Sequence, residues 1–379
     1  MKFYSFMIFV SAVVLVIIGS LLVLSASSTF SSTKFEDAEY LFSGHIWKAV
    51  LGVVIMAALA FVDYGYYKRY SKWLMISGVL LLISVFLFAP SIKGSMRVLS
   101  IFGVSFQPVE LVKLFLFIHL AVMLEKVGDD ITDLRLGVIN PMIWIGIVAG
   151  LVFLQPNVSN GVLILTTGIA TLFVAGIQRR HFLAFAGSGG VLALGYALIK
   201  PHSFKRISTH ISAIFGNGDF HPQVLQSLYG LGSGGWLGLG LGKSHQRDHF
   251  LPEAYGDFIF AIAGEEGGLA GTLLVLALYS SIFVFGILIA KNARDKFGKL
   301  LAFSISFSIA LYAFVNAAVA IGVFPVTGLP LPLISHGGTA IIIVCASLGI
   351  LLNIGLNAKP KEAKSPEVKE AKTWQEQPV

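Results

Sequence analysis

The strongest constraint in this chain is a series of long stretches without charge. Residues 6–24 and 267–290 contain no Asp, Glu, Lys or Arg. At 1.5 Å per helical residue, each is long enough to cross the roughly 30 Å hydrocarbon core of a bilayer. A buried core in water does not need runs of that length. Ten predominantly apolar spans are expected, at 5–26, 45–63, 72–90, 107–125, 137–154, 160–177, 182–200, 258–290, 300–323 and 333–356. Within lipid the backbone must satisfy its own hydrogen bonds, so each reads as a helix. The expected fold is therefore all-α and integral to the membrane. It has about ten transmembrane helices and a large extracytoplasmic loop, residues 201–256, between helices 7 and 8.

Composition supports this reading and excludes others. Of 379 residues 56% are hydrophobic and only 12% charged, with a mean hydropathy of +0.82. That is too little charge to cover a water-soluble protein of this length. The 40 Gly and 30 Phe suit membrane helices, where small residues admit close backbones and aromatics fill gaps. The single cysteine, Cys345, lies in an apolar run and reads as a small core residue. The first run is too long for the core of a secretory signal and reads as a retained helix. The net charge of +7 reads as membrane anchoring, since no basic stripe with interleaved aromatics points to nucleic acid.

With the N-terminus inside and ten crossings, seventeen Lys and Arg residues fall on the inner side and nine on the outer. This bias sets both termini in the cytoplasm and the segment 201–256 outside. Residues 1–357 form one membrane domain. Residues 358–379, rich in Lys, Glu and Pro, read as a disordered cytoplasmic tail. The outer segment is rich in Gly, Ser, His and aromatics, and a long loop of that kind on a membrane scaffold usually carries function.

Ionisable residues at membrane depth need a reason. Glu110 and Lys113 lie three apart, on one side of a helix that Gln107 and Pro108 open, and can pair there. A neutralising structural pair and the wall of a substrate cavity fit them equally. Further along, Pro252 can begin a helix with Glu253 near its positive end, and Asp257 follows one turn later on the same face. Glu265 and Glu266 come deeper, before Gly267 and Gly268. Acids at the outer end of a span suit a general base or a cation site, against the plainer reading of helix-capping carboxylates. A straight helix would set Asp257 about 15 Å outside the start of the charge-free run, at headgroup depth. The Gly-rich stretch 231–244 can approach a phosphate closely, and Lys243 and Arg247 add charge. Arg97, Lys93, Lys205 and Arg206 add more on the same face, which points to an anionic ligand in the outer leaflet. Residues 326–338, with Pro330, Pro332 and the pair Gly337–Gly338, read as broken backbone tolerated only against a cavity. That makes Ser335, Gly337 and Gly338 a second wall of the same site, with His336 as a structural residue.

Five segments in order, at 94–114, 154–157, 223–244, 251–266 and 326–338, resemble the SEDS family of bacterial shape, elongation, division and sporulation proteins. They read GSMRVLSIFGVSFQPVELVKL, LQPN, QVLQSLYGLGSGGWLGLGLGKS, LPEAYGDFIFAIAGEE and VTGLPLPLISHGG. The sequence is most similar to the division branch. The resemblance implies a peptidoglycan glycosyltransferase in the bacterial cytoplasmic (inner) membrane. Such an enzyme polymerises lipid II into a nascent glycan strand on the outer face. The family's essential aspartate falls on Asp257, implied as general base, with undecaprenyl diphosphate as leaving group. Arg97, Arg206, Lys243 or Arg247 would stabilise that charge. A divalent cation, Mg or Mn, is compatible with the diphosphate, but its ligands are unknown. The Glu110–Lys113 pair matches one lining the family's central cavity. The implied partners are a class B penicillin-binding protein transpeptidase, other divisome proteins and membrane lipid. The chain departs from the family pattern where His-Thr usually precedes the aspartate (Tyr255–Gly256) and where a Tyr usually stands in the last motif (His336). It also departs at Asn157, at Val98 and at His221–Pro222. A lipid II flippase with the same cavity and a non-enzymatic divisome scaffold are the alternatives.

Overall fold

The computed structural model describes residues 1–89, 98–101, 104–247, 251 and 254–358. Arg97, Glu253 and the tail 359–379 lie outside the described residues, so the expectations placed on them are not addressed by the fold.

Each apolar stretch folds as a helix in the expected order. These are α1 (Lys2–Phe35), α2 (Tyr40–Leu59), α3 (Gly65–Phe88), α4 (Pro108–Val127), α5 (Asn140–Leu154), α6 (Val158–Ala175) and α7 (Arg179–Ile199). The chain continues through α8 (Pro201–Ile214), α9 (Pro222–Ser233), α10 (Ile259–Lys291), α11 (Lys296–Ala320) and α12 (Ala340–Leu356). Eight helices of the described residues are long and apolar enough to cross a membrane: α1, α2, α3, α5 with the turn before it, α6, α7, α10 and α11. The all-α, multi-pass reading holds. α4 carries Glu110 and Lys113, and α12 is short at 17 residues; both are largely buried among their neighbours. A two-stranded antiparallel hairpin, β1 (Leu99–Ile101) with β2 (Val104–Phe106), pairs Leu99 with Phe106 just before α4.

Packing explains which helices sit at the centre. α4 and α11 bury residues on nearly every face, because α4 lies against α3 and α11, and α11 also lies against α6 and α10. α7 buries only Ala193 and Ala197 and stands at the periphery. The segment 201–256 is built from two helices rather than an open loop. α8 is amphipathic, with Phe204, Ile211 and Ile214 exposed on one face. On the other side, Arg206 Nη1 donates to Val326 O at 3.4 Å, and His210 Nε2 lies 3.2 Å from Val323 O.

The Gly-rich stretch does something other than cradle a phosphate. It clasps a kink in α10. Gly268 has φ 64° and ψ −165° in the middle of α10, a conformation open to glycine but strained for other residues. Around it, Leu239 N donates to Glu265 O at 2.9 Å and Gly240 N to Glu266 O at 3.0 Å. Leu269 N and Ala270 N donate to Gly235 O and Trp236 O at 2.9 and 3.1 Å. The backbones are so close that a Cβ on Gly238 would stand 2.1 Å from Glu266 O. Gly238→Ala is therefore expected to lower the melting temperature sharply, from a collision and a positive φ of 79° together. Gly232→Ala, in open space on α9, is the control and is expected to be neutral or to stabilise by about 0.5–1 kcal/mol. Equal melting of the two variants in detergent would refute the clasp.

Candidate functional site

The helix expected to start at Pro252 starts at Ile259, and residues 254–258 are turns. Asp257 thus stands just outside α10 at its mouth, half-buried, not on a helical face with Glu253. Nor does the helix beyond it project outward. Ile259 through Glu266 are all buried, and the kink at Gly268 breaks the straight line on which a 15 Å height was reckoned.

Because these turns lack a helix's own bonding ladder, donors from elsewhere hold them. The backbone N–H of His336 donates to Tyr255 O at 2.9 Å. Ser335 Oγ donates to Gly256 O at 2.6 Å and accepts from Leu331 N at 2.8 Å. Asn316 Nδ2, from α11, donates to Asp257 O at 2.8 Å. The second wall, 326–338, is thereby stitched to the turn that carries Asp257. Gly328 faces the aspartate itself. Its φ is +68°, and a Cβ there would lie 3.3 Å from Asp257 Oδ2. On the far side of the wall, a Cβ on Gly338, whose φ is +61°, would reach within 3.0 Å of Ser105 O in the hairpin. Ser335, Gly337 and Gly338 are thus parts of the wall, and Ser335 is committed to holding it.

Rings brace the turn from outside. Tyr255 lies 5.3 Å from Phe30 and 6.0 Å, edge-on, from His336, which lies 5.7 Å from His45. Two of the departures from the family pattern, Tyr255 and His336, therefore touch.

Glu110 and Lys113 pair at 2.7 Å, and their side chains are 7% and 8% exposed. The Lys113 ammonium also stands 3.7 Å from the centre of the Tyr312 ring. Tyr312 OH donates to Asn160 Oδ1, whose Nδ2 donates to Asn157 Oδ1 at 3.0 Å. Two cavities of about 40 and 20 Å³ share Glu110 and Tyr312, and the second is closed by Pro330, Ser335 and Gly337. Spaces of that size hold one or two waters, not a sugar. The pair neutralises itself, and it lines a small cavity that backs onto the wall.

The remaining acids and bases separate clearly. Glu265 accepts from Ser244 Oγ, His245 N at 3.0 Å and Gln246 N at 3.3 Å. Glu266 accepts from Ser25 Oγ at 2.5 Å and from Ser244 N at 3.4 Å. Both are nearly inaccessible, at 1% and 2%, and serve the clasp instead of a base or cation site. Arg247 Nη1 donates to Ser25 Oγ at 3.2 Å and belongs to the same cluster. Lys243 is exposed. Arg206 instead reaches Val326, two residues from Gly328, and so stands on the wall that faces Asp257. Together with Lys205 and burial it depresses the His221 pKa, which leaves His221 Nδ1 free to accept from Gln223 N at 3.4 Å. Among the described residues no group of three or more His, Cys, Asp or Glu gathers to hold a metal.

A carboxylate at the mouth of α10, held against a backbone wall on a multi-pass helical scaffold and backed by a buried ion pair, defines the candidate site. Residues 5–360 match the family model described as cell cycle protein, which covers FtsW, RodA and SpoVE. The chain is 33% identical over 356 residues to the probable peptidoglycan glycosyltransferase FtsW of Geobacter sp. (strain M18), covering 93% of this chain and 96% of that one. It is 36% identical over 349 residues to the stage V sporulation protein E of Bacillus subtilis (strain 168), covering 90% and 93%. The crystal structure of the rod shape determining protein RodA of Thermus thermophilus superposes with a TM-score of 0.70 at 25% identity, covering 93% and 97%. A peptidoglycan synthase complex that coordinates polymerisation and crosslinking contains the same fold, with a TM-score of 0.71 at 24% identity. The chain belongs to the FtsW/RodA/SpoVE family, the SEDS family.

Proposed function

We propose that this chain polymerises lipid II into glycan strands at the outer face of the bacterial cytoplasmic membrane, with Asp257 as general base. It is a peptidoglycan glycosyltransferase of cell-wall synthesis. The observation that carries the assignment of the base is the mouth itself. Asp257 stands half-buried outside α10, its backbone is held by α11 and by the wall, and a glycine, Gly328, leaves its carboxylate room. The carboxylate takes the proton from an acceptor sugar hydroxyl as that oxygen bonds to the donor's anomeric carbon. The bond from that carbon to the diphosphate breaks, and undecaprenyl diphosphate leaves with the electron pair. Arg206 is best placed to meet the charge that develops there, since it lies along the same wall.

The division role and cytoplasmic termini follow from the similarity to FtsW proteins and from the Lys and Arg bias. A class B penicillin-binding protein is the partner this reading carries, with other divisome proteins around it. The flippase alternative is disfavoured by the cavities beside Glu110, which are far too small for a sugar headgroup. The test is a gel of glycan products from purified protein, with its partner, on labelled lipid II. Arg206→Ala is expected to lower kcat/KM at least about tenfold. Lys243→Ala is expected to stay within about twofold, as an exposed charge that makes no bond to the wall. Equal effects of the two would remove Arg206 from the leaving-group site.

A further inference from the structure

Asn316 lies near the C-terminal end of apolar α11 and is 1% exposed. Its Nδ2 donates twice, to Asp257 O at 2.8 Å and to Leu329 O at 2.7 Å. Both neighbours are carbonyls, so only this orientation of the amide makes bonds, and both of its hydrogens are used. Its Oδ1 is buried and meets no donor. A buried amide that leaves its acceptor unsatisfied gives up hydrogen-bond energy, and such groups call for a reason.

The reason lies in what the two carbonyls belong to. One is the backbone of the residue that carries the carboxylate, in a turn without a helix's ladder. The other is in the wall, next to Gly328, which faces that carboxylate. Asn316 ties them together from a rigid, fully packed helix. Three successive carbonyls, of Tyr255, Gly256 and Asp257, are held from outside. The first donor is a backbone N–H and the second is Ser335, itself part of the wall. Asn316 is the one that reaches both segments and belongs to neither.

We propose that Asn316 is a positioning residue for glycan polymerisation. It sets the distance between the Asp257 carboxylate and the wall on which the sugar acceptor rests, and it does not touch substrate. This rests on the assignment of Asp257 as the base. A displacement of about 1 Å at a reacting group costs on the order of a hundredfold. Asn316→Ala is therefore expected to lower kcat by about ten- to a hundredfold with KM within about threefold of wild type.

Asn316→Asp gives a signature that a merely structural role would not. The shapes match, but an ionised carboxylate would face two carbonyl oxygens, whereas the neutral acid supplies one donor. Burial raises the pKa of such a carboxyl. The ratio of Asn316→Asp to wild-type kcat is expected to rise as the assay pH is lowered from 8 to 5.5, while the Asn316→Ala ratio stays flat. Rates are read as glycan formed from labelled lipid II by purified protein with its transpeptidase partner, beside thermal melts and an Asp257→Asn control. Wild-type kcat in Asn316→Ala while Asp257→Asn is inactive would overturn the positioning role alone. An active Asp257→Asn would overturn the base and this inference with it. If Asn316→Ala does not fold, the Asn316→Asp ratio decides: a rising ratio supports positioning, and a flat one overturns it.

Discussion

The Asp257→Asn variant is expected to fold like the wild type, to bind its partner and to lose glycan polymerisation by about a hundred- to ten-thousandfold. The amide keeps the size and both flanking backbone bonds of the carboxylate, since Asn316 and Ser335 grip the main chain and not the side chain. What disappears is the group that accepts a proton. Asp257→Glu is also expected to fail, because the main chain is held in place and one more methylene moves the carboxylate away from its position. The measurement is product length and rate on labelled lipid II, with a melt to show that the variants are folded. An Asp257→Asn protein that makes strands at the wild-type rate would sink the assignment.

The second large effect concerns stability. Lys113→Met leaves the buried Glu110 carboxyl without its partner, beside a cavity that holds one or two waters. Breaking a buried pair from one side costs about 3–5 kcal/mol. The melting temperature in detergent is expected to fall steeply. The double variant Glu110→Gln with Lys113→Met is expected to recover most of the loss, because replacing both charges removes the desolvation penalty along with the attraction. Lys113→Met melting at the wild-type temperature would show that the pair does not hold the bundle together.

How much of this was legible in the sequence depended on whether one residue type had one structural meaning. Charge-free runs have one meaning in a chain with so little charge, and the helices lie where the runs placed them. Glu110 and Lys113 were legible as a pair because three residues on a helix leave little else for two opposite charges in lipid. Pro252 and Glu253 looked like a helix start, yet the helix opens at Ile259, since capping chemistry says only where a helix is allowed to begin. The Gly-rich stretch was misread for a related reason. A missing Cβ admits a phosphate or another backbone equally well, and here it admits α10. Glu265 and Glu266 looked like candidate bases because the sequence cannot show the serines and backbone N–H groups that occupy them. Asn316 carried no signal at all, as one amide in an apolar helix. Tyr255 and His336 were visible as two separate departures from the family pattern, and only the structure shows that their rings meet.

The pairing of Glu110 with Lys113 has an electrical consequence. A lone charge at that depth would feel the transmembrane potential, at about 2.3 kcal/mol per 100 mV for a full crossing. Two opposite charges 2.7 Å apart form a small dipole with no net charge, so a shift of α4 as a unit moves almost none through the field. Any rearrangement that carries this pair toward or away from the mouth therefore costs the same in an energised cell as in one whose voltage has collapsed.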